Sequence, residues 1–129
     1  MPSASLLQIM VVDDTYVSRA LIVDTLDAIG IRGVALAKNG GEALKMLMAK
    51  PVHMVISDMN MPEMDGLALL KGLREYKPTS KIGFILVTGS TDASLISRGR
   101  ALGMNNFVKK PFTAETMKAA IEAVVGKLS

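Results

Sequence analysis

Three carboxylates, a hydroxyl and an ammonium stand at equivalent points of this 129-residue chain. Asp13 and Asp14 follow an apolar run over 6–12, and Asp58 follows one over 52–56. Thr88 follows a run over 82–87, and Lys110 a short one over 105–108. Carboxylates gathered closely repel one another unless a cation joins them. Hard oxygen donors suit Mg2+, which keeps several waters and binds through one or two carboxylates plus a phosphate. Thr88 and Lys110 are donors and, with the metal, can hold three phosphoryl oxygens around a nucleophile. Asp58 is the carboxylate on the most central of these runs and so the candidate nucleophile. Phosphoryl transfer asks mainly for positioning and charge neutralisation, and an aspartyl phosphate is an established covalent intermediate.

That chemistry requires the groups to meet, which the surrounding elements can arrange. The runs before Asp13, Asp58 and Thr88 are rich in aliphatic residues and read as buried strands. Between them lie helical patterns. Residues 16–30 place Ile22, Val23, Leu26 and Ile29 on one face, with Gly30 at the stop. Gly33–Ala37 is a short strand, and Asn39-Gly40-Gly41 a turn. Residues 42–50 form a second helix with Ala43, Leu44, Leu47 and Met48 inward, stopped by Pro51. Residues 66–76 form a third, with Leu67, Leu70 and Leu73 on one side, and 77–80 are a polar connector. Thr91-Asp92 caps a fourth helix through Leu102, closed by Gly103. Thr113 caps the last, whose buried stripe is Met117, Ala120, Ile121, Val124 and Leu128. Strand and helix alternate five times, which argues for α/β architecture: a five-stranded parallel sheet with helices on both faces. In such sheets the carboxyl edge of the strands binds ligands.

Composition narrows the classes. The chain is one domain long, 1–129, with no linker or repeat, and nothing attached is expected. Half the residues are hydrophobic and only 4% aromatic, so the core is aliphatic with Met as filler. The absence of cysteine excludes disulfides, thiolate catalysis and cysteine metal sites, and fits a reducing compartment. No signal peptide or membrane-length run is present, so no membrane partner is expected. The net charge of +3 and pI near 9.3 come without clustered Lys and Arg, so no nucleic acid is expected either.

Each motif alone has an ordinary reading. Asp13-Asp14 is a surface turn, Thr88-Gly89-Ser90 a helix cap, Lys109-Lys110 a solvated pair, and Asp58 a loop carboxylate. Met59, Met61 and Met64 read as packing and loop residues, or as an adaptable surface. Asp65 reads as shaping the turn with Gly66, and His53 as exposed before the third strand. The chemical reading gains its weight from the shared position at strand ends.

With the pair Asp13-Asp14, the loop from Asp58 through Asn60 and Pro62 to Asp65-Gly66, Thr88, and Lys110-Pro111-Phe112 in register, the chain resembles response-regulator receiver domains. Among these it is similar to the single-domain chemotaxis regulators of the CheY type. The resemblance spans essentially the whole chain. It implies a doubly wound, flavodoxin-like sheet of order 2-1-3-4-5. It also implies that Asp58 accepts a phosphoryl group from a phosphohistidine on a sensor histidine kinase. Mg2+ would be bound by Asp14, Asp58 and the Asn60 carbonyl, with Asp13 acting through a water. Lys110 would pair with Asp58 across a cis Lys110-Pro111 bond. Thr88 would move to the phosphoryl group, and Phe107 would turn inward behind it. Phe112, Lys109 and Thr91 would contribute to a partner face built on the fourth helix, fifth strand and fifth helix, with core burial the other reading of Phe112. A cytoplasmic monomer is expected, with the flagellar motor switch protein as a further candidate partner. Phe107 departs from the Tyr common in chemotaxis relatives and lacks its hydroxyl. Gly89 leaves room beside Thr88, while Asn60 and Ser90 occupy positions that tune hydrolysis of the acyl phosphate.

Three alternatives stand beside this reading. The first is a phosphate shuttle or sink working with a histidine phosphotransfer domain. The second is a phosphatase of the haloacid-dehalogenase kind, which needs an Asp where Asn60 stands. The third is a flavodoxin-like cofactor binder, whose phosphate Asp13-Asp14 would repel.

Overall fold

The computed structural model describes residues 3–90 and 92–129. Five strands, β1 (Gln8–Val12), β2 (Gly33–Ala37), β3 (Met54–Asp58), β4 (Gly83–Thr88) and β5 (Asn106–Lys109), form one parallel sheet in the order β2-β1-β3-β4-β5. Five α-helices follow them in turn: α1 (Tyr16–Ile29), α2 (Gly40–Ala49), α3 (Gly66–Glu75), α4 (Ala93–Ala101) and α5 (Ala114–Val125). This is the doubly wound order that the resemblance implied.

Side-chain alternation along the strands sorts the core into two layers. Ile9, Val11, Met54, Ile56, Ile85, Val87 and Val108 face Ile22 and Leu26 of α1 and Met117 and Ile121 of α5. Their neighbours Met10, Val12, Val55, Phe84 and Leu86 face α2, α3 and α4 through Leu47, Leu70, Leu73 and Leu95. Burial on both faces explains why the strands read as nearly unbroken apolar runs. Each such aliphatic side chain contributes about 1.5–3 kcal/mol on leaving water.

The helices begin at polar caps. The Asn39 side chain accepts from the Glu42 amide, Asp65 from Ala68, and Asp92 from Ser94. Thr113 and Thr116 cap each other's backbone amides at the start of α5. Gly30 ends α1 at φ +96°, a conformation that favours glycine.

Several local expectations need correcting. Leu6 lies in a 3-10 turn (Ala4–Leu6) and is exposed, so β1 starts at Gln8. Val52 precedes β3, which starts at Met54. Gly40 and Gly41 belong to α2, because Asn39 is a cap and not the centre of a turn. Met48 points outward on α2, while Leu44 is half-buried. The connector after α3 is a 3-10 turn (Lys77–Thr79) around buried Thr79, whose hydroxyl donates to the Leu73 carbonyl at 2.7 Å. Leu128 is buried but lies beyond the end of α5.

Candidate functional site

The carboxyl edge of the sheet brings the expected groups together. Asp58 is the last residue of β3 and sits beside Val87 in the sheet; Thr88 closes β4 beside Lys109. Asp13 leaves β1 with its amide bonded to the Ala37 carbonyl. One carboxylate oxygen from each of Asp13, Asp14 and Asp58 lies within 4.8 Å of the others. Asp13 and Asp58 are buried, whereas Asp14 is exposed at the mouth.

Lys110 Nζ lies 2.7 Å from Asp58 Oδ1, an oxygen that makes no other hydrogen bond among the described residues. The Lys110-Pro111 peptide bond is cis, as the resemblance implied. The Lys110 amide donates to the Thr88 carbonyl at 2.8 Å, so the two donor residues share a backbone tie. Burial pushes the Asp58 carboxyl above the ordinary value; the hydrogen bond and charge of Lys110 oppose this, and Asp13 and Asp14 add to it. A carboxylate under that pressure favours a nearby cation. The fit to Mg2+ rests on this crowding of oxygen donors. Asp14 presents its carboxylate at the exposed mouth of the cluster, and the exposed Asn60 follows Asp58 by two positions.

Residues that carry no motif of their own, and no site role legible in the sequence, hold this arrangement in place. Thr15 donates to Asp13 Oδ1 through its amide at 3.0 Å and its hydroxyl at 3.2 Å. The Ser18 hydroxyl donates to Asp13 Oδ2. Arg19 Nη1 reaches the Asp13 carbonyl at 2.8 Å. The buried Ser57 hydroxyl donates to the Asp58 carbonyl at 2.9 Å. For Thr15 and Ser18 the one signal is a hydroxyl residue within one helical turn after the acidic pair; Arg19 and Ser57 carry none. Gly66 is required by close approach: a Cβ there would lie 2.7 Å from the Asp58 carbonyl oxygen and 2.6 Å from Leu86 Cδ1.

Thr88 is buried, and its hydroxyl accepts from the Ser90 amide at 3.0 Å and donates to the Ser90 carbonyl at 3.1 Å. Phe107 is half-buried against the layer containing Leu95 and Met104, on the α4 side of β5. Lys109 is exposed on the same strand. Phe112 takes the core side of its two readings. Its ring packs against the α1–α5 layer and lines a groove with Val17 and Leu21 of α1, because the chain crosses to that side of the sheet after Lys110. Thr91 lies outside the described residues. Asp65 caps α3, and exposed His53 accepts from the Gln8 amide at 2.9 Å, so neither belongs to the acidic pocket.

A doubly wound sheet with an acidic pocket at its carboxyl edge and a lysine on the central aspartate defines a phosphoacceptor-type domain. The response regulator receiver domain family matches residues 9–122. The chain is 43% identical to the probable chemotaxis protein CheY of Rhizobium etli over 128 residues, covering 99% of each chain. It is 35% identical to the chemotaxis protein CheY1 of Helicobacter pylori, covering 93% of this chain and 98% of that one. The solved structure of Vibrio cholerae chemotaxis protein CheY4 superposes with a TM-score of 0.85 at 29% identity, covering 92% of this chain and 98% of that one. The chain belongs to the response-regulator receiver family.

Proposed function

We propose that this receiver is a phosphorylation-dependent signalling switch with Asp58 as phosphoacceptor. One observation carries the reading: a buried carboxylate at the end of the central strand, paired with Lys110 at 2.7 Å and crowded by Asp13 and Asp14. An Asp58 oxygen attacks phosphorus in line, a P–O bond forms, and the bond from phosphorus to the leaving group breaks. From a phosphohistidine the electron pair returns to the ring nitrogen; from acetyl phosphate it leaves as acetate. Asp14, Asp58 and the Asn60 carbonyl would hold Mg2+, with Asp13 behind them. When bound, the metal would neutralise charge on the carboxylates and on the phosphoryl oxygens. Lys110 stays beside the acceptor and bonds a phosphoryl oxygen. Thr88 exchanges its Ser90 bonds for another such oxygen, and Phe107 follows inward, remodelling the surface of α4, β5 and Lys109.

The domain turns over nothing but its own acyl phosphate, slowly. Sensor-kinase phosphohistidine is the proposed donor, in the cytoplasm, and the names of the relatives point to chemotaxis. A second reading, a shuttle or sink for a histidine phosphotransfer domain, is favoured by the exposed apolar Val17 and Leu21 in the groove beside Lys110. Phe107, having no hydroxyl, also favours it over motor binding.

Intact mass after incubation with acetyl phosphate and Mg2+ tests the proposal. One added phosphoryl group is expected, absent in Asp58→Asn and without metal. If the wild type stays unmodified, a beryllofluoride titration separates a kinase-selective receiver, which binds it, from a degenerate one, which does not. Reverse transfer to a phosphotransfer domain separates the two partner readings.

A further inference from the structure

The two acidic residues after β1 are held very differently. Asp13 is fully buried and accepts three hydrogen bonds: the Thr15 amide and hydroxyl on Oδ1, and the Ser18 hydroxyl on Oδ2. A carboxylate has about four lone-pair sites, so little of this one is left to coordinate a cation. Asp14 is exposed and accepts none of these bonds. Thr15 stands at the N-cap of α1, yet its side chain makes no cap bond to the helix. Its hydroxyl serves Asp13 instead. The Arg19 bond to the Asp13 carbonyl fixes the main chain of the same residue.

We infer that Ser18 is a metal-specificity residue: its hydroxyl holds Asp13 Oδ2 toward α1 and keeps that oxygen out of direct coordination. The inference rests on the proposed reading that the pocket holds a divalent cation. Its consequence follows from what the ions require. Ca2+ takes six to eight oxygen ligands in flexible geometry, whereas Mg2+ tolerates few protein ligands and retains its waters. A pocket in which Asp13 is clamped offers few inner ligands and therefore suits Mg2+. Freeing Oδ2 adds a ligand that benefits Ca2+ most. Ser18 acts through Asp13, so it is a positioning residue.

The test is an NMR titration of the full chain, and of its Ser18→Ala and Ser18→Thr variants, with MgCl2 and separately with CaCl2. It follows the backbone amides of residues 13–15 and 57–60. Changes behind a metal ligand typically alter affinity by about 10–100-fold. The expected result is a shift of about tenfold toward Ca2+ in the ratio of the two dissociation constants in Ser18→Ala, restored by the hydroxyl in Ser18→Thr. An unchanged ratio overturns the inference. So does an equal weakening for both ions that Ser18→Thr fails to restore, because that marks a purely structural staple. Absence of any cation binding by the wild type overturns the metal reading itself, and this inference with it.

Discussion

The hydroxyl of Thr88 is engaged twice by Ser90, accepting from its amide at 3.0 Å and donating to its carbonyl at 3.1 Å. The group proposed to report phosphorylation is thus tied to the loop after β4 and makes no hydrogen bond to Asp58 in this structure. Thr88→Val keeps the shape and removes both ties. Stability should fall by about 1–3 kcal/mol, the net worth of two typical hydrogen bonds. The aromatic resonances of Phe107 should also stop responding to beryllofluoride, as followed by NMR.

The raised Asp58 pKa makes a prediction about pH. A carboxyl whose folded value exceeds its unfolded value binds its proton more tightly in the native state. Stability therefore falls as pH rises from the ordinary value of 3.8 through the folded value. At neutral pH, without metal, Asp58→Asn removes this burden and should melt at a higher temperature than the wild type. The gap should close as pH falls toward 4. Thermal melts of both proteins across that range, in chelator, check the sign.

Gly66 abuts the acceptor residue itself. Gly66→Ala would press a methyl against the Asp58 carbonyl and Leu86. Overpacking of this kind costs about 1–3 kcal/mol. Because the displaced atoms belong to Asp58, phosphorylation by acetyl phosphate should slow as well. Urea unfolding and intact-mass time courses measure the two effects.

Much of this architecture is legible in the amino-acid sequence, for identifiable reasons. Strands buried on both faces leave unbroken aliphatic runs, so β3 and β4 stand out, and with them the positions of Asp58 and Thr88. The polar caps Asp92 and Thr113 mark helix starts. The Asn39-Gly40-Gly41 stretch misleads because a cap and a turn use the same residues. Phe112 keeps two readings in the sequence because its side of the sheet depends on the path after Lys110, which no periodicity encodes. Thr15 and Ser18 are hard to single out as partners of Asp13, since a short hydroxyl side chain carries no periodicity and only their place just after the acidic pair marks them.

Arg74 is the clearest case of a residue whose role no spacing reveals. Its guanidinium is half-buried and donates to the carbonyls of Ser80 at 3.0 Å, Ile82 at 2.7 Å and Gly103 at 2.8 Å, and to Asn105 Oδ1 at 3.2 Å. Burial among these neutral acceptors lowers its pKa. It joins the segments leading into β4 and β5, at the sheet edge away from Asp58. Arg74→Met should cost about 2–3 kcal/mol, because hydrogen bonds to a charged group are worth more than neutral ones. Phosphorylation of the folded fraction should be retained. Denaturant melts paired with acetyl phosphate labelling distinguish the two.

The most direct test of the account is to locate the phosphoryl group. Borohydride converts an aspartyl phosphate to homoserine, which peptide mass mapping can place. After acetyl phosphate and Mg2+, homoserine should appear at position 58 and nowhere else. Homoserine at Asp13, Asp14 or another carboxylate, with Asp58 intact, would contradict the claim that this site is built around Asp58.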